Sequence, residues 1–165
     1  MILVLQNIVR FIILVLIQVF VLDNIQFMGY ISPMIYVLFV LSLPVKFHRG
    51  ALLLLAFTIG ITIDMFNNTM GLHAFATVLM GFLRTPTIRI FVSLDEGANP
   101  TPSFRTFGVN SYLKYVISLV LLHHAALFLI ETFSFFNFSL LIPKILISSA
   151  VTILIIFGVQ SLKRR

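Results

Sequence analysis

GITIDMFNNTMGLHAFATVLMGFLR, residues 60–84, is the stretch whose reading decides the fold. Two apolar runs flank a polar turn, Asn67–Asn68–Thr69, and one carboxylate, Asp64, lies close to that turn. Apolar runs meeting at such a break read as a helical hairpin. A carboxylate at the centre of a bilayer costs about 2.5–3.5 kcal/mol on insertion scales, so Asp64 needs a reason to be there. Either it caps the turn at the water interface, or it faces the interior of a helix bundle. On the first helix Ala56, Gly60 and Asp64 share one stripe at helical spacing. On the second, His73, Thr77 and Gly81 do the same, with Ala74 beside them and Arg84 further on. Small residues on such stripes let backbones approach closely. A turn centred on Asn68 brings Asp64 level with His73 and leaves Arg84 about 16 Å away, at 1.5 Å per residue. The expected partner of Asp64 is therefore His73 or the amides of Asn67–Thr69. Gly71 suits a helix entry that needs close approach or an unusual backbone angle. Two roles follow for Asp64: an ordering group for the turn, or half of an Asp64–His73 contact that binds a partner or a proton.

Around the hairpin nearly everything is hydrocarbon. Of 165 residues, 60% are hydrophobic and only 10% charged, and the mean hydropathy is +1.13. Globular chains are roughly 45–50% apolar and about a quarter charged, so the composition is that of an integral membrane protein. Phe supplies the aromatic bulk (18 residues), against 4 Tyr and no Trp, which leaves the usual interfacial belt thin. With no cysteine the chain offers no disulfide, thiolate nucleophile or cysteine metal site. The first apolar run lacks a small-residue cleavage site and reads as a retained helix.

Six spans emerge between turn and charge signals: about 2–22, 29–45, 51–65, 70–91, 112–130 and 140–162, with a cytoplasmic loop at about 92–111. A perpendicular helix needs about 20 residues to cross roughly 30 Å. The second and third runs are shorter, which implies local thinning or support from neighbouring helices. Threading six spans puts Arg10, Lys46, Arg49, Arg84, Arg89, Arg105, Lys114, Lys163, Arg164 and Arg165 on one side. The other side holds Lys144 with Asp23, Asp64 and Glu131. That asymmetry predicts cytoplasmic termini. It also explains the net charge of +6 without nucleic acid as a partner. Arg10 interrupts the first span and shares a face with Gln6 and Asn7, either snorkelling to the interface or making a polar contact inside the bundle. Pro86, Pro100, Pro102, Gly97 and Gly108 break up residues 85–110, which read as a loop with a short amphipathic piece near 88–94.

Chemistry is sparse. His123 and His124 point about 100° apart on a helix, so they are poorly placed to share one metal, and His124 lies on the face of Glu131. These groups read as polar helix contacts, with no metal and no cofactor. No Gly-rich phosphate loop, nucleophile elbow or paired zinc-ligand motif appears, and nothing supports catalysis.

The hairpin with its flanks resembles the bacterial rod shape-determining MreD family. The matching features are Gly60 before Asp64, the polar turn, and Gly71–Leu72–His73 opening a helix that ends at Arg84. YISPMIYVLFVLSLPVK (residues 30–46) and LLHHAALFLIETFSFFNF (residues 121–138) look like the family's elements on the other helices. The resemblance implies a non-enzymatic subunit of the bacterial cytoplasmic membrane, in the complex that directs side-wall peptidoglycan synthesis. Its implied partners are MreC and, through it, MreB, RodA and the elongation transpeptidase; a second copy of the chain is a further candidate. On this reading the bundle docks the transmembrane helix of MreC, the face of Ala56 and Gly60 serves either inside the hairpin or for that partner, and Phe133, Phe135, Phe136 and Phe138 continue the docking surface outside. The six-span layout also resembles the substrate-binding subunits of energy-coupling-factor vitamin transporters, at the level of fold. A transporter subunit is therefore the alternative, although residues 2–22 contain none of the Ala or Gly that would dock a coupling protein.

Overall fold

A computed structural model of the chain describes residues 2–24, 31–93, 97–132 and 138–162. Helix α1 (Ile2–Ile17) widens into a π-helical turn over Gln18–Leu22. A short α2 (Val37–Leu41) follows, then α3 (Arg49–Asn67) and α4 (Leu72–Phe91). A one-turn α5 (Phe104–Phe107) leads into α6 (Val109–Glu131) and α7 (Phe138–Leu162). Five helices are long and apolar enough to cross a membrane, as a multi-pass membrane protein requires. Contacts between α3 and α4, α4 and α6, and α6 and α7 are the most extensive. Among the five, α6 is the most buried and α1 the least.

The second span differs from the expected helix. Within the described part of 29–45, residues 32–34 are irregular and only Val37–Leu41 is α-helical. The segment nevertheless runs from one end of the bundle to the other. Ser32 borders the same cavity as Asn67, Thr69 and Glu131, whereas Val45 and Lys46 border one with Arg49 and Arg89. Pro33 and Pro44 explain the broken helix, because each disfavours α geometry in the residue before it. Ser32 is exposed, and every residue from Pro33 to Leu43 is buried, so the hydrophobicity of that stretch reflects enclosure by protein. Irregular backbone at membrane depth is tolerated where protein surrounds it. Five membrane-length helices and one irregular thread, in place of six helical spans, thus run the length of the bundle. The groove between α1 and α7, lined by Leu5, Gln6, Ser42 and Gln160, sets the start of α1 beside the end of α7.

Pro86 does not end α4, which continues beyond Arg84 to Phe91; the amphipathic piece expected near 88–94 is partly its last turn. The following loop is anchored. Ser103 caps α5 through Thr106 N (3.2 Å), and the Phe104 ring packs on Tyr112 and Phe157 at centroid distances of 4.8 and 5.4 Å. Arg10 is half-buried and lines the α1–α7 groove with Gln6.

Candidate functional site

The α3–α4 turn is closed by Asp64. Its Oδ1 accepts from His73 N (3.0 Å) and the Thr69 hydroxyl, and its Oδ2 accepts from Ala74 N (2.9 Å). His73 and Ala74 are the second and third residues of α4. Those amides have no intrahelical acceptor and normally bond to the side chain of the N-cap residue. Here the N-cap is Gly71, which has no side chain and takes φ +82°. Asp64 supplies the cap from the preceding helix, where its negative charge also meets the positive end of the α4 dipole. Asn68, at φ 54°, ends α3 in the left-handed conformation. The predicted pairing of Asp64 with His73 therefore occurs through the backbone amide of His73, and the imidazole turns elsewhere.

The stripes meet as the spacing predicts. A Cβ on Gly60 would stand 2.5 Å from Ala74 Cα and 2.7 Å from His73 O, so any side chain there would force the helices apart. One on Gly81 would lie 3.3 Å from Ala56 Cβ. Ala56, Gly60 and Asp64 are all buried within the hairpin.

The His73 imidazole enters a buried polar chain. Its Nδ1 lies 2.9 Å from the Tyr36 hydroxyl, and His123 Nε2 lies 2.9 Å from the same hydroxyl. Thr77 Oγ1 donates its one proton to His73 O (2.6 Å), so at 3.4 Å from His123 Nε2 it can only accept. Hydrogen-bond accounting then assigns a direction: His123 Nε2–H donates towards Tyr36 and Thr77, and the Tyr36 hydroxyl donates to His73 Nδ1. His123 Nδ1 is buried with no partner among the described residues. Tyr36, from the thread, is thereby gripped by α4 and α6.

Other polar side chains hold the backbone of the thread. Gln18, on the π-helical turn, accepts from Ile35 N (2.8 Å) and donates to Pro33 O (3.1 Å). On α7, Ser148 Oγ accepts from Ser32 N (3.1 Å) and Thr152 Oγ1 from Met34 N (3.0 Å). Towards the other end, Arg84 donates to Leu43 O and, through Nε, to Tyr115 Oη (3.0 Å), while the Tyr115 hydroxyl donates to Leu41 O (3.0 Å). Arg84 is thus a buried cap on the carbonyls that follow α2, where a cation opposes the helix dipole. The spacing flagged Arg84 but missed Tyr36, Gln18, Ser148, Thr152 and Tyr115. Their available signal was a lone polar group in an apolar run, doubled on α7 by the i, i+4 spacing of Ser148 and Thr152.

His124 and Glu131 do not meet. His124 Nδ1 donates to Val120 O (2.9 Å) and its Nε2 lies 3.2 Å from Thr152 Oγ1. Glu131 is partly exposed and pairs with Lys144 at 2.8 Å. Among the described residues, no three His, Cys, Asp or Glu side chains are placed to hold a metal ion. A cavity of about 280 Å³ opens beside His73, lined also by Asp23, Ser32, Asn67, Thr69 and Glu131. Asp23 Oδ1 accepts from Gln18 Nε2 (2.7 Å), and its Oδ2 is buried with no partner among the described residues. Residues 133, 135 and 136, expected to extend an outer aromatic surface, lie outside the described residues, as does the side chain of Phe138.

No protein-family profile, curated protein or solved structure matches the chain.

Proposed function

We propose that the chain is a non-enzymatic membrane subunit of the MreD type, which partners MreC in the bacterial cytoplasmic membrane and helps organise side-wall peptidoglycan synthesis. One observation carries the reading. The residues behind the resemblance, Gly60, Asp64, Gly71 and His73, are those that close the α3–α4 hairpin. Their chemistry is spent on the shape of the chain, as a docking subunit requires. Small-residue contact and packing drive helix association in lipid, so a rigid hairpin is a suitable partner surface for a single-span protein. Ala56 and Gly60 are occupied within the hairpin, so the surface offered to MreC is the outward side of α3 and of the start of α4, where Leu54, Phe57 and Phe75 are exposed. The test is copurification of MreC with tagged wild-type chain and with Phe57→Ala/Phe75→Ala. Retention by the wild type and loss by the variant support the reading; failure of the wild type to retain MreC sinks it.

The cavity beside His73 favours a second reading, a small-molecule-binding transporter subunit. Several polar groups converge there and Asp23 Oδ2 has no partner among the described residues, although the cavity's volume falls just below the range of about 300–1,000 Å³ usual for ligand pockets. Mass spectrometry of the purified protein separates the two. A stoichiometric small molecule lost in Asp23→Asn favours transport, and its absence favours the shape subunit.

A further inference from the structure

We propose that a cationic notch at the basic end of the bundle binds the headgroup of an anionic phospholipid. The notch is a cavity of about 590 Å³ between the α2–α3 connection and the last turns of α4. Lys46 enters it from the connection, Arg49 from the start of α3 and Arg89 from α4, beside Val45, Phe47 and Ile88. No carboxylate is among its described lining residues. The three cations do not arise from one helix face. They converge because the thread ends here: Val45 N donates to Pro100 O (3.1 Å) and Lys46 N to Asn99 Oδ1 (2.6 Å), which pins the connection against the loop after α4.

The ligand is amphiphilic because the notch is. The Arg49 guanidinium carbon stands 4.6 Å over the Phe82 ring, which holds a forked donor at the lip. Phe82 and Arg89 lie seven residues apart on one face of α4. Phe82 is about half exposed. An anionic headgroup in the notch would therefore place its acyl chain along exposed aromatic surface, a continuity that a soluble phosphate would not use. Arginine forks match phosphate oxygens two at a time, and basic pockets between membrane helices are known headgroup sites.

The experiment measures thermal unfolding of the full chain in detergent micelles doped with phosphatidylglycerol, with phosphatidylcholine, or with free glycerol phosphate. Ligand that binds only the folded state raises the melting temperature by mass action. The expected result is a rise of a few degrees with phosphatidylglycerol alone, abolished in Lys46→Gln/Arg49→Gln/Arg89→Gln. Should the triple variant not fold, Lys46→Gln/Arg89→Gln is expected to reduce the rise. An equal rise with phosphatidylcholine overturns the proposal, and so does an undiminished rise in both variants. A rise with glycerol phosphate as large as with the lipid replaces the lipid site by a simple anion site and overturns it also. Asp95 and Glu96 are the acids next in sequence. If only Asp95→Asn/Glu96→Gln responded to the lipid, the chain's own acids would be the occupant and the proposal would fall.

Discussion

Asp64 and Arg84 are ionisable and almost fully buried, with 2% and 1% of their surface exposed. Each is matched to backbone at a helix end instead of to an opposite charge: Asp64 to the amides that open α4, Arg84 to the carbonyls that follow α2. Removing either partner of such a contact leaves a desolvated group unsatisfied, at a cost of about 1–3 kcal/mol or more when it is charged. Asp64→Asn keeps the shape but can present an acceptor to only one of the two amides. It is expected to lower stability by about 2 kcal/mol, with Asp64→Ala worse, both read from thermal unfolding in detergent. An unchanged melting temperature in both would remove Asp64 from the account. Tyr36→Phe deletes the hydroxyl shared by His73 and His123. A loss of about 1–3 kcal/mol is expected there, with helix content by circular dichroism unchanged. The Asp64–Gly60–Ala56 stripe was legible because helical spacing puts small and polar residues on one face. The destination of the His73 imidazole was not, because Tyr36 lies in a segment whose conformation the spacing misread.

At the scale of elements, the contrast lies between α3–α4 and the thread. The hairpin is a close-contact pair, and Gly60 sets its spacing. Gly60→Ala is expected to destabilise strongly, since its Cβ would overlap the Ala74 backbone. Gly158→Ala on α7 is the control: nothing lies within 4 Å of its Cβ, and alanine is the better helix former by about 0.5–1 kcal/mol. Equal melting temperatures for the two variants would mean that α3 and α4 do not touch at Gly60. The thread eluded the reading for a physical reason. Periodicity reports which face of an element is buried, and a segment enclosed on all sides has none to report. Its two prolines and its short length were the visible clues. The clamps that replace its helical hydrogen bonds sit elsewhere in the sequence, on the π-helical turn, α4, α6 and α7.

At the scale of the molecule, acidic groups gather at one end of the bundle and basic groups at the other. Asp23 and Glu131 border the cavity beside the α3–α4 turn, and Lys46, Arg49 and Arg89 border the opposite notch. With no native cysteine, single cysteines report sidedness without background. Met70→Cys and Thr101→Cys, both exposed and at opposite ends, are expected to react with an impermeant thiol reagent from opposite faces of the membrane. Labelling from the same face would break the six-crossing layout. The central claim is that the segment before α3 is an irregular thread whose amides are held by side chains of the π-helical turn and of α7. Its most direct test is amide hydrogen exchange at Met34 and Ile35 by NMR, in the wild type and in Thr152→Val and Gln18→Leu. Protection in the wild type, lost about tenfold or more at Met34 in the first variant and at Ile35 in the second, is predicted. Protection at both amides that survives both substitutions would show a self-bonded helix and contradict the account.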